Sequence, residues 1–175
     1  MKYRLDRNGL NAAVVVALGC NLPGAYTSRE ALLEAAVSAL AGEGMAVVAR
    51  SGWWTSAAWP DPTGPAYLNG VVLVETALAP AEALAALHRI EAEFGRARAE
   101  RNAARTLDLD LIAYGRMVID GDLVLPHPRA HERLFVMGPL AEVAAEWVHP
   151  VLGRTAAELA AEASVGSDAR PAPNP

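Results

Sequence analysis

Arg105-Thr106-Leu107-Asp108-Leu109-Asp110-Leu111-Ile112 sets two carboxylates two residues apart inside an otherwise apolar run. The alternation predicts a strand over 107–114, with Leu107, Leu109 and Leu111 on one face and Asp108 and Asp110 on the other. Side chains at this spacing sit roughly 7 Å apart along a strand. Two anions on one face of a buried strand are costly unless a cation lies against them. A pair of divalent ions would serve, and so would Arg105 at the strand entrance. Taken alone, the pair reads equally well as a metal anchor or as the wet face of an edge strand.

Outward from that strand, the elements follow the hydrophobic periods. An apolar run over 13–18 predicts a buried strand, followed by a turn over Gly19-Cys20-Asn21-Leu22-Pro23-Gly24. Thr27 or Ser28 can cap a helix over 29–41, whose Leu32, Leu33, Ala36 and Leu40 share a face. A second strand is expected over 45–54 and a long Pro- and Gly-bearing loop over 55–66. A Val-rich third strand is expected over 67–76, and Pro80 opens a second helix running to about residue 94. With the strand over 107–114 the order is β-α-β-β-α-β, the ferredoxin-like arrangement of the α+β class. A short strand over 117–119 and helices over 134–144 and 156–163 are expected as C-terminal additions packed on that sheet. The reading is one domain over 13–163, with loose tails over 1–12 and 164–175, the latter because of Pro171, Pro173 and Pro175.

Composition narrows the partners. The chain has 175 residues, 53% of them hydrophobic and 20% charged, with net charge −5 and pI ≈ 5.4. That balance argues against broad nucleic-acid binding. Cys20 stands alone, which excludes an intrachain disulfide and suits a reducing compartment. No apolar run reaches the roughly 18 residues a membrane span needs. The expectation is a cytoplasmic monomer with small-molecule substrates.

Three further stretches bear on chemistry. The segment from Gly95 to Arg105 carries four arginines, Arg96, Arg98, Arg101 and Arg105, with Glu100 as its one acid. Guanidinium forks match phosphate oxygens, so this loop suits phosphoryl transfer, although a solvated basic loop has the same composition. The segment Pro126-His127-Pro128-Arg129-Ala130-His131-Glu132-Arg133 places two histidines four apart, but its prolines argue against the helix that a zinc pair would need. Phosphate contacts from His127 and Arg133 fit it better. Trp59, in the Pro-bearing loop, suits one wall of a slot for a flat ring. Trp53 and Trp54, being adjacent, point to opposite faces, so at least one belongs to the core.

Taken together, these strings resemble the 6-hydroxymethyl-7,8-dihydropterin pyrophosphokinase family of folate biosynthesis. The resemblance runs from about Val14 to Gly153. It is carried by Ala17-Leu18-Gly19-Cys20-Asn21-Leu22, Tyr67-Leu68-Asn69-Gly70, Ile90-Glu91-Ala92-Glu93-Phe94-Gly95-Arg96, the Arg105–Asp110 string and the Pro126–Arg133 segment. It implies transfer of diphosphate from ATP to the pterin hydroxymethyl oxygen by attack on the β-phosphorus, with AMP leaving.

The resemblance also implies roles for individual residues. Asp108 and Asp110 would hold two Mg2+ ions. Arg96 and Arg105 would act in catalysis from a mobile loop, and Arg98, Glu91, His127 and Arg133 would bind the nucleotide. Ser56 and Ala57 would read the pterin edge through their backbone. Tyr67 and Asn69 would line its pocket, with Phe135 and Trp59 against its two ring faces. Cys20 stands where the family has serine, Ala57-Ala58 where it has a Pro-bearing pair, and Asn102-Ala103-Ala104 where some members have Trp-Gly-Pro. A ferredoxin-like binding module without catalysis and a metal-dependent phosphohydrolase are the competing readings.

Overall fold

The computed structural model describes residues 7–58, 61–95 and 106–173. Its centre is an antiparallel sheet of β1 (Val14–Cys20), β2 (Met45–Arg50), β3 (Trp54–Ser56), β4 (Tyr67–Thr76), β5 (Asp108–Tyr114) and β6 (Arg170–Pro171). The order is β5-β1-β4-β3-β6, with β2 also paired to β4. Helices α2 (Arg29–Gly42) and α3 (Pro80–Glu93) cover one face, and α4 (Leu134–Ala144) and α5 (Ala156–Glu162) the other. This is the expected α+β architecture: β4 lies between β1 and β2 of the first split β-α-β unit, and β1 lies between β4 and β5 of the second.

Alternation in β1 sorts the two cores. Val14, Val16, Leu18 and Cys20 join Leu33 of α2, Leu87 of α3 and Leu107, Leu109 and Leu111 on the first face. Val15 and Ala17 join Val71, Leu73 and the α4 residues Val136, Met137 and Leu140 on the second. The β1–β5 register slips by one residue between Val15 and Val16, so Val16 faces Leu111 while Val15 faces Ala113. A bulge of this kind turns a strand locally. It sends Ile112 and Ala113 together to the α4 face.

Helix ends follow their local signals. Ser28 caps α2, its hydroxyl accepting from the Ala31 N–H at 3.1 Å. Pro80 opens α3, and Glu82 turns back to accept the Ala79 N–H at 2.8 Å. Among the described residues, no helix is long and apolar enough to cross a membrane.

Four local expectations change. Residues 7–12, expected loose, form α1 (Arg7–Ala12), whose Leu10 packs into the α4-side core. The strand expected over 45–54 breaks at Ser51-Gly52. There the Ser51 hydroxyl accepts from the Val71 N–H at 3.0 Å, and Glu142 of α4 accepts the Gly52 N–H at 2.8 Å. The strand expected over 117–119 is an isolated bridge from Ile119 to Leu125. Residues 164–173, also expected loose, lie along the sheet: Val165 bridges Arg133, Ala169 is buried, and β6 pairs with β3. Backbone pairing to an edge strand needs no hydrophobic periodicity, so composition alone does not reveal it.

Candidate active site

A cavity of about 520 Å³ opens on the α4 face, lined by residues of β1, β3, β4 and β5 and by Phe135 and Val136 of α4. Its floor comes from the strand register. Gly19 pairs with Asp108 and Ala17 with Asp110. Small residues beside the two aspartates leave room above them. Both carboxylates are half-buried and line the cavity, while Leu107, Leu109 and Leu111 are buried on the opposite face. The volume lies within the range of small-molecule sites.

One wall is polar and pre-organised. Tyr67 and Ser56 are cross-strand partners in the β3–β4 ladder. Asn69 and Ser56 are both buried, and the Asn69 side-chain N–H donates to the Ser56 hydroxyl at 3.0 Å. The Ala57 N–H donates to the Asp168 carboxylate at 2.6 Å. The facing wall carries Phe135, in the first turn of α4, and Arg133 just before it. The Arg133 guanidinium carbon sits 5.8 Å from the Phe135 ring centroid, within cation–π range. Behind that ring lies Gly166, where a Cβ would come 2.5 Å from Phe135 Cδ1.

Eight of the expected site residues thus meet at one cavity: Ser56, Ala57, Tyr67, Asn69, Asp108, Asp110, Arg133 and Phe135. Two others do not line it. Glu91 is buried behind β5, where its carboxylate accepts the Leu109 N–H at 2.7 Å. Leu109 lies between the two aspartates, so this bond holds the strand on which both are mounted. His127 lies beside a second, shallower hollow of about 330 Å³ with Val124, Leu125 and Pro126. Its N–H bonds the carbonyl of the bulged Ile112 at 2.8 Å, and its Nδ1 accepts the Arg129 N–H at 3.2 Å.

Burial, and then the Arg133 charge, push the His127 imidazole below its ordinary range. With Nδ1 accepting, the ring proton of the neutral imidazole sits on Nε2. Trp59, Arg96, Arg98 and Arg105 lie outside the described residues.

Sequence reasoning also passed over cavity residues. Asn21 and Arg129 line it, as does Val165 from the C-terminal segment. Asn21 and Arg129 fall inside the strings quoted above, so position could have suggested them; Val165 carries no such signal. Cys20 points away into the helix-side core, and burial raises its thiol to about 12, so it is an inert packing residue. Trp53 and Trp54 do take opposite faces. Trp53 packs over Gly70, and Trp54 packs over Gly138 and donates to Glu142 at 2.8 Å.

Compared with known families, residues 15–145 match the one described as 7,8-dihydro-6-hydroxymethylpterin-pyrophosphokinase (HPPK). The chain belongs to this family. HPPK relatives agree over most of its length. The 2-amino-4-hydroxy-6-hydroxymethyldihydropteridine pyrophosphokinase of Synechocystis is 43% identical over 147 residues, which are 83% of this chain and 73% of the relative. The enzyme of the same description from Methylorubrum extorquens is 39% identical over 149 residues, 84% of this chain and 90% of the relative.

Among solved structures, wild-type Plasmodium falciparum HPPK-DHPS with pteroate superposes with TM-score 0.69 at 12% identity, covering 85% of this chain. This chain spans only 44% of that one, and the likeness speaks for the fold alone. HPPK membership makes the chain an ATP-dependent diphosphotransferase, a pyrophosphokinase of folate biosynthesis.

Proposed function

We propose that the cavity between β1, β4, β5 and α4 transfers diphosphate from ATP to the hydroxymethyl group of 6-hydroxymethyl-7,8-dihydropterin. The hydroxymethyl oxygen bonds to the β-phosphorus, the bond from that phosphorus to the bridging oxygen of AMP breaks, and the hydroxyl proton departs to solvent. The observation that carries this reading is a juxtaposition. One cavity holds two carboxylates on its floor and, beside them, a wall of Ser56, Asn69 and Tyr67 facing the ring of Phe135. The first suits a metal–polyphosphate and the second a flat heterocycle with a polar edge.

The donor set at the floor fits Mg2+. Asp108 and Asp110 are hard oxygen ligands on one strand face. Mg2+ takes one or two carboxylates together with waters and substrate phosphates rather than an all-protein cage. Two bound ions would neutralise the polyphosphate and draw charge from the bond that breaks. Glu91 keeps the strand beneath them in place, and Arg133, at the cavity edge, answers negative charge that spreads over the phosphates. Arg96, Arg98 and Arg105 belong to the same reading through their place in the sequence, and Trp59 likewise as the second ring wall.

The testing experiment is AMP release from ATP with and without the hydroxymethyl pterin. AMP that appears only with pterin, alongside the pterin diphosphate, is the expected result. Hydrolysis of ATP independent of pterin would support a phosphohydrolase instead, and no turnover with either would favour a binding module.

A further inference from the structure

Residues 165–172 touch two walls of the cavity at once. On the α4 side, the Val165 N–H donates to the Glu132 carbonyl and its own carbonyl accepts the Leu134 N–H, both at 2.9 Å, so the pair brackets Arg133. On the β3 side, Arg170 and Pro171 pair with Thr55 and Trp54, and the Ala172 N–H donates to the Trp53 carbonyl at 2.8 Å. Between these anchors, Gly166 turns the chain at φ +66°, a conformation that glycine tolerates best, and the Phe135 ring lies against it. Two residues later, Asp168 accepts the Ala57 N–H at 2.6 Å. This is a charge-assisted bond between residues 111 apart in sequence.

We infer that Asp168 is a positioning residue for the pterin-reading wall, holding the Ser56–Ala57 backbone at a set distance from Phe135. The inference rests on the reading of the cavity as a pterin site. The bond has a chemical consequence as well as a steric one. With its N–H engaged, Ala57 has only its carbonyl oxygen left as a backbone polar group, and that group is an acceptor. A heterocycle edge rich in N–H donors, as a pterin presents, suits such a wall. An edge of bare ring nitrogens does not. The same segment closes behind Phe135, so both sides of the ring slot take their spacing from one short stretch of chain.

The test is steady-state kinetics of AMP release with each substrate varied, together with amide hydrogen exchange over residues 53–58. D168A removes the acceptor, and D168E keeps the charge but moves it by one methylene. Both should raise the pterin KM about tenfold, the scale of one lost charge-assisted hydrogen bond. The ATP KM and kcat should stay within about twofold, and Ala57 exchange should quicken. D168N keeps an oxygen acceptor at the same reach and should return the pterin KM to within about threefold of wild type.

A folded D168A with an unchanged pterin KM would overturn the inference, as would equal rises in both KM values. If D168A fails to fold, D168E carries the same comparison. If the unaltered protein shows no pterin-dependent AMP release, the pterin reading itself falls. Exchange at Ala57 then decides the positioning role separately, and an unaltered rate in D168A would end it.

Discussion

The two faces of the sheet are built from alternate residues of the same strands and end differently. Toward the C-terminal end of β1, Leu18 and Cys20 are buried beneath α2 and α3. Their neighbours Ala17 and Gly19 border the cavity with Asp110 and Asp108 opposite them. On the first face, apolar side chains fill the space to the end of the strand. On the second, Ala17 and Gly19 present little or no side chain, and the cavity lies there with Phe135 and Val136 of α4 also lining it. At the start of β5, packed leucines thus lie on one side and the proposed site on the other, one residue apart.

The sharpest way to break this contrast is to substitute its two sides in turn. Asp110→Ala should lower pterin-dependent AMP release by on the order of 10³-fold, since it removes a group acting on developing charge. Its urea midpoint should barely move, because a half-exposed carboxylate contributes little to the core. Substantial Mg2+-dependent turnover in this variant would dissolve the assignment of chemistry to that face.

Leu87→Ala does the converse. A fully buried leucine of α3 should cost about 2–5 kcal/mol in urea unfolding, with kcat per folded molecule unchanged. A loss of kcat in the folded fraction would mean that the helix-side core also tunes the site.

Asn69→Ala tests the polar wall. Ser56 loses its buried partner, and the pterin KM should rise about tenfold while the ATP KM holds. Equal changes in both would place Asn69 outside the ring slot.

The smallest effect concerns pH. Burial lowers His149 to about 4, and its Nδ1 accepts the Val151 and Leu152 N–H groups. Between pH 6.5 and about 4 the unfolded chain binds a proton that the folded imidazole does not. Stability is therefore full above 6.5 and declines as pH falls toward 4. Urea midpoints of the unaltered protein should drop more between pH 7 and pH 5 than those of His149→Gln. Parallel slopes would show that His149 is not the group responsible.

How far this contrast could be read in advance depends on the range of the interactions behind it. The alternation Leu107-Asp108-Leu109-Asp110-Leu111 declares its two faces, because a strand repeats every two residues whatever surrounds it. Helices α2 and α3 announce themselves for the same kind of reason, through Ser28, Pro80 and their apolar stripes. The break at Ser51-Gly52 is silent in the local sequence. It is held by the Ser51 bonds to Val71 and by Glu142, which arrives from α4 some 90 residues later.

Glu91 shows the intermediate case. Its sequence string marked it as a site residue, yet only the packing of α3 against β5 showed it gripping the Leu109 N–H. His127 stood in the site by its motif, and the structure sets it beside a neighbouring hollow, tied to the bulged Ile112.

By itself, the sequence determined the β-α-β-β-α-β order of the main elements, the two faces of β5 and the family to which the chain belongs. Each of these rests on residues within a few positions of one another, where period, caps and contiguous motifs act. The tertiary structure alone decided the slip in register at Ile112, the break that separates β2 from β3 and the docking of residues 164–173 across the cavity walls. Those depend on backbone hydrogen bonds and carboxylate–amide contacts between distant segments. Such bonds draw on groups that every residue carries and so leave almost no trace in composition.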